Sequence, residues 1–176
     1  MKQLLLSLAL LGGVACSSDP ALHQKETVSM PDLNVPGLQL PRPDLLTGGQ
    51  PEAGAWAGLA AHGVTTVINL RPDKELAGRD EAGEVAAAGM RYHQIPVDGA
   101  AGLSLDKARE LRSLLQDAKG PVLVHCASGN RVGALIALSA ADEGVPVEEA
   151  LARGRAAGMT STEARVRELL GAPAQP

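Results

Sequence analysis

The stretch Val122-Leu123-Val124-His125-Cys126-Ala127-Ser128-Gly129-Asn130-Arg131 (residues 122–131) joins a short apolar run to the start of a helix through four small residues. Val122 to Val124 holds no polar side chain, as a strand covered on both faces requires. A helix is expected from near Arg131 through Leu135, Ile136 and Leu138 to about Glu143. Between the two, the backbone of Ala127, Ser128, Gly129 and Asn130 forms a natural anion cradle. Successive N–H groups turn inward, Gly129 permits a positive φ, and the helix N-terminus adds roughly half a positive charge. At the base of such a loop Cys126 is expected as a thiolate nucleophile. Arg131 returns to the mouth, where its planar fork takes two oxygens of a tetrahedral oxyanion at once.

Outward from this loop, strand and helix signals alternate. Val64 to Leu70 is a β-branched run read as a buried strand, and Arg91 to Val97 is read as a second one. Helices are expected over Glu52–His62, ended by Gly63, and over Asp80–Ala88, stopped by Gly89. Ser104 caps a further helix whose apolar stripe is Leu105, Ala108, Leu111, Leu114 and Leu115. Val147–Ala157 is another, and Thr160-Ser161-Thr162-Glu163 reads as a capping box opening a last helix to Leu170. The pattern predicts an α/β domain over residues 38–172, with a central, mainly parallel sheet flanked by helices.

Composition narrows the partners. The 176 residues hold 16 Lys+Arg against 20 Asp+Glu, a formal charge of −4, with both signs interspersed. Nucleic acid is therefore not an expected partner. Trp56 and Tyr92 are the only aromatic residues, so the core must be aliphatic. Residues 1–16 show a charged start, an apolar run from Leu4 to Leu11 and a small-residue exit, which reads as an export signal. Val14-Ala15-Cys16-Ser17 resembles the lipobox of bacterial lipoproteins, which would lipidate Cys16. Residues 17–37, broken by Pro20, Pro31 and Pro36, read as a flexible tether. The expected location is the periplasm-facing side of a bacterial envelope membrane, held there only through the lipid. Cys126 would then be the one thiol of the mature chain. The four His show no metal-ligand spacing, the domain has no second Cys, and no cofactor is implied.

His125-Cys126 followed by Arg131 resembles the signature of the cysteine-dependent phosphatases, although only four residues separate Cys126 from Arg131 where that signature has five. Gly49-Gln50-Pro51, Ile68-Asn69-Leu70-Arg71-Pro72-Asp73-Lys74-Glu75, Ile95-Pro96-Val97 and the Cys126 loop together resemble the phosphatase-like domain of beta-lactamase hydrolase-like proteins, a family also labelled as sulfur transferases. The resemblance implies a cysteine-phosphatase fold and a phosphoric monoester as substrate. By analogy it implies Asp98 as general acid, set before Gly99-Ala100-Ala101-Gly102, with an ordinary turn residue as the alternative.

His125, facing away from Cys126, is expected to support the loop. Arg71 and Glu75 are expected to face substrate or to brace the loop as an ion pair. Glu81 and Glu84 are read as solvated. Position 132 is Val, where phosphatases usually have a hydroxyl that assists hydrolysis of the covalent intermediate, so slow turnover is expected. The short spacing also resembles rhodanese loops, which keeps open a sulfurtransferase that takes sulfur from a sulfane donor as a Cys126 persulfide. A non-catalytic anion-binding module is the third alternative.

Overall fold

The computed structural model describes residues 33–173. Four-residue strands build its sheet: β1 (Gln39–Arg42), β2 (Leu45–Gly48), β3 (Thr66–Asn69), β4 (Arg91–Gln94) and β5 (Val122–His125). Their spatial order is β1-β2-β5-β3-β4. β5 lies in the middle, parallel to β2 on one side and to β3 on the other, and β4 is parallel to β3. Only β1 runs antiparallel, as the outer arm of a hairpin that turns at Pro43-Asp44. The expected α/β class with a mainly parallel sheet is the one observed.

Six helices cover the sheet: α1 (Ala55–Ala61), α2 (Glu81–Ala87), α3 (Leu105–Asp117), α4 (Asn130–Asp142), α5 (Val147–Ala156) and α6 (Glu163–Leu169). Strand alternation divides the core into two layers. Leu45, Ile68, Val122, Val124 and Cys126 point to the layer of Leu111 in α3, Leu135 and Leu138 in α4, Leu151 in α5 and Val166 in α6. Leu46, Val67 and Leu123 point to the other layer, with Trp56 and Leu59 of α1 and Val85 of α2. Neighbours along β5 therefore serve opposite faces, and this separates His125 from Cys126.

The helix signals hold where a side chain closes the first turn. Ser104 accepts from the Lys107 N–H, and Asp80 accepts from the Gly83 N–H. Two readings are corrected. The tether does not reach Gly37: Leu33 and Val35 are buried against the α1 layer, and Pro36 O accepts the Gly49 N–H. The capping box at Thr160–Glu163 does not form: the helix starts at Glu163 behind Thr162, the Thr160 N–H donates to Asn130 Oδ1, and the Glu163 carboxylate pairs with Arg155 and Arg167. The hairpin of β1 and β2 carries no period that a four-residue strand can show. The expected export signal and Cys16 lie outside the described residues.

Asp142, at the end of α4, ties that helix to α3 through Arg109 at 2.6 Å and Arg112 at 2.8 Å. Hydrogen bonds from Arg109 and then Arg112 lower its carboxyl from 3.8 to about 2. A depressed folded-state value means the contribution is complete above the unfolded value and disappears as pH falls through the folded one. The urea midpoint of Asp142→Asn should therefore lie below wild type at pH 6, and the gap should close between about pH 4 and pH 2. A gap independent of pH would contradict the assignment.

Candidate active site

β5 ends at His125, and α4 begins at Asn130, so the chain reverses within four residues. Gly129 makes this possible at φ +86, a left-handed conformation that costs a residue with a Cβ. Its N–H points back into the turn and donates to Cys126 Sγ at 3.1 Å. The N–H groups of Asn130, Arg131 and Val132 form the first turn of α4 and have no acceptor within the helix; the Gly133 N–H is the first to find one, Gly129 O. A second glycine lets β2 approach the loop. A Cβ at Gly49 would stand 2.9 Å from Ala127 O, and Gly49 bridges to Ser128. Cys126 is 1% exposed, with its sulfur beneath this turn, while Ala127 and Ser128 are exposed.

Arg131 is buried beside the sulfur. Its Nη1 and Nη2 donate to the two Glu75 oxygens at 2.9 and 2.7 Å, and Nη1 also donates to Val97 O at 2.7 Å. Of five guanidinium N–H groups these contacts use three. The remaining two, one on Nη2 and one on Nε, form the side-on fork that matches two oxygens of a phosphate. Burial draws the proton affinity of Arg131 down, but Glu75 and the Cys126 sulfur outweigh it and hold the guanidinium above its ordinary value. Glu75 in turn is held below the usual carboxylate range, first by the Arg131 hydrogen bond and also by Arg71. Arg71 donates to Glu75 O and to Gln50 Oε1. Arg71 and Glu75 thus brace Arg131.

On the opposite face of the sheet, His125 is fully buried, with Nε2 2.8 Å from Glu81 Oε1 and its ring beside Trp56. Asn69 Nδ2 donates to the same Glu81 oxygen at 2.9 Å, and Gln50 Nε2 donates to the other at 2.6 Å. Glu81 is therefore not solvated: it is 1% exposed. Glu84 is likewise engaged, by Trp56 Nε1 and by Arg79. The helical period held the clue, since Glu81 lies four residues before the buried Val85 and so shares its face. Burial pushes the Glu81 carboxyl up, but His125, Gln50 and Arg79 outweigh it and leave it below the ordinary range.

Two further residues have side chains engaged away from the sulfur. The Asn130 side chain serves structure: its Oδ1 accepts from the Thr160 and Thr162 N–H groups and from the Thr162 hydroxyl, and its Nδ2 donates to Ser161 Oγ at 2.6 Å. Asp98 is exposed and paired with Lys74 at 2.6 Å, while its carbonyl accepts the Gly102 N–H. Val132 is fully buried and brings no hydroxyl to the sulfur. A cavity of about 610 Å³ lies apart from the loop, between the β1–β2 hairpin, α3, α4 and α5. Its arginines, Arg42, Arg112 and Arg153, are each paired with a neighbouring acid. Among the described residues, no group of three or more His, Cys, Asp or Glu is placed to hold a metal ion.

Comparison with known proteins places the chain among phosphatase-like domains. The family described as beta-lactamase hydrolase-like protein, phosphatase-like domain, matches residues 39–143. The beta-lactamase hydrolase-like protein of Agrobacterium fabrum is 36% identical over 104 residues, 57% of this chain and 24% of that protein. Its counterpart in Xylella fastidiosa is 35% identical over 119 residues, 65% of this chain and 27% of that protein. The chain thus spans about a quarter of the length of the curated relatives it matches. Among solved structures, a proposed phosphatase from Neisseria meningitidis superposes with a TM-score of 0.63 at 28% identity, over 73% of this chain and 94% of that one. TpbA of P. aeruginosa, in complex with pTyr, has the same fold, with a TM-score of 0.61 at 24% identity over 82% of this chain and 87% of that one.

The contacts of Asn130 yield a test. Asn130→Ala should lower unfolding free energy by about 1–3 kcal/mol, as expected when backbone N–H groups lose a shared acceptor. Urea denaturation measures this, and unchanged stability would show that the side chain does not pin the segment.

Proposed function

We propose a reaction for a chain that belongs to the phosphatase-like domain family of the beta-lactamase hydrolase-like proteins: hydrolysis of a phosphoric monoester through a phosphocysteine at Cys126. The observation that supports it most is the Gly129 N–H donating to Cys126 Sγ at 3.1 Å beside the buried Arg131. Both favour negative charge on the sulfur and on an oxyanion next to it. Loop N–H groups and the Nε/Nη2 fork bind the phosphoryl oxygens while the sulfur attacks phosphorus. The S–P bond forms as the ester O–P bond breaks, and Asp98 gives its proton to the leaving oxygen. Water then attacks phosphorus, the S–P bond breaks, inorganic phosphate leaves, and the Asp98 carboxylate recovers a proton.

Val132 shapes the kinetics of this scheme. Without a hydroxyl donor to the departing sulfur, breakdown of the intermediate becomes the slow step. The sulfurtransferase alternative rests on loop spacing, whereas the family and the structural relatives are phosphatase-like. An anion-binding module has no use for the thiol.

With 4-nitrophenyl phosphate, wild type should release nitrophenol in a burst followed by slower turnover, and Cys126→Ser should abolish both. Asp98→Asn should slow the burst by about 10²–10⁴-fold. Full activity in Cys126→Ser would overturn the nucleophile, and an unchanged burst in Asp98→Asn would overturn the acid.

Export and a lipid anchor at Cys16 belong to the same proposal, supported by the charged start, apolar run and small-residue exit of residues 1–16. Labelled palmitate should be incorporated into wild type and not into Cys16→Ser; equal labelling would rule the anchor out.

A further inference from the structure

The buried Glu81 is not part of the cradle, yet more of the site meets at its carboxylate than at any other group on that face. Three N–H donors converge on it: His125 Nε2 from the end of β5, Asn69 Nδ2 from the end of β3, and Gln50 Nε2 from the segment after β2. The direction of each bond can be assigned. Asn69 Oδ1 accepts the Arg71 N–H at 2.8 Å, so the other end of that amide, Nδ2, faces Glu81. Gln50 Oε1 accepts from Arg71 Nη1, so Nε2 faces Glu81. A carboxylate below its usual range has no hydrogen to give, so the third bond requires the hydrogen on His125 Nε2. His125 Nδ1 is buried with no hydrogen-bond partner, so nothing competes for that hydrogen from the other side of the ring.

We propose that Glu81 is a positioning residue for the nucleophile: by accepting from His125 Nε2, Asn69 and Gln50 together, it fixes the imidazole and with it the chain direction at Cys126. The link to the sulfur is short. His125 and Cys126 share a peptide unit. The Cys126 N–H donates to Gly48 O and His125 O accepts the Leu70 N–H, so β2 and the end of β3 hold that unit on both sides. With the ring also locked, residue 125 has little freedom to rotate, and Cys126 Sγ stays beneath the Gly129 N–H. Gln50 adds a second route, since its other end holds Arg71, which donates to Glu75 O, and Glu75 holds Arg131. One buried carboxylate thus orders both the nucleophile and its guanidinium partner. The inference rests on the phosphatase reading only for its kinetic readout.

Glu81→Gln is the informative change, because it keeps the volume and replaces an acceptor oxygen with a donor NH₂ facing other donors. Folded Glu81→Gln should lose on the order of 10-fold in kcat for 4-nitrophenyl phosphate with KM within about twofold, as outer-shell partners of a reacting group commonly show. Alkylation of Cys126 by iodoacetamide at neutral pH should slow in parallel. The loss in the Glu81→Gln/His125→Gln double variant should be smaller than the product of the two single losses, since the carboxylate acts in large part through the ring. Wild-type rates in folded Glu81→Gln, or additive losses in the double variant, would overturn the proposal. Should the variants fail to fold, ¹⁵N resonances of His125 in wild type decide the matter: Nε2 should carry hydrogen from about pH 6 to 8, and a bare Nε2 would refute the assignment. A wild type without phosphatase activity would refute the reaction, and the alkylation and ¹⁵N results would still judge Glu81.

Discussion

The Gly129 N–H, donating 3.1 Å to the Cys126 sulfur, exists because the chain leaves a central strand and enters a buried helix in four residues. Only a left-handed residue at the last position of that turn brings the amide back over the strand end, and φ +86 at Gly129 supplies it. The same reversal places the first turn of α4, with its unpaired N–H groups and positive dipole end, beside the sulfur. Arg131 is the second residue of that helix, so one backbone conformation sets sulfur, amides and guanidinium together.

Around this turn the polar groups form two connected sets, one on each face of the sheet. On the Cys126 face, Glu75 and Val97 O orient Arg131 and leave its side-on fork for an anion. On the His125 face, Glu81 gathers the ends of three chain segments. Gln50 and Arg71 join the two sets, which explains why Gly49-Gln50-Pro51 and Ile68-Asn69-Leu70-Arg71 lie far from Cys126 in sequence yet belong to its site. Both carboxylates sit below their usual range, so the braces keep their charge through the neutral pH region.

The parts legible in sequence were those with a local cause. A β-branched run marked β3, an apolar run marked β5, Ser104 marked a helix start by its side-chain bond, and Gly129 marked the turn. The parts that stayed hidden depend on partners distant in the chain. β1 and β2 owe their pairing to each other and to β5, and four residues are too few to show a period. The capping box at Thr160–Glu163 lost its members to Asn130, Arg155 and Arg167, partners that reach it only once α4, α5 and α6 meet. Glu81 looked like a surface residue because a carboxylate is rarely buried unless donors surround it, and its three donors come from three separate segments.

A rapid acid quench of the wild-type protein reacting with 4-nitrophenyl phosphate, followed by mass spectrometry of the peptide containing residue 126, tests the central claim most directly. A phosphoryl group on Cys126 that forms within the first turnover and decays at the steady-state rate is the predicted result. An unmodified Cys126 throughout turnover, or a phosphoryl group on another side chain, would contradict the account.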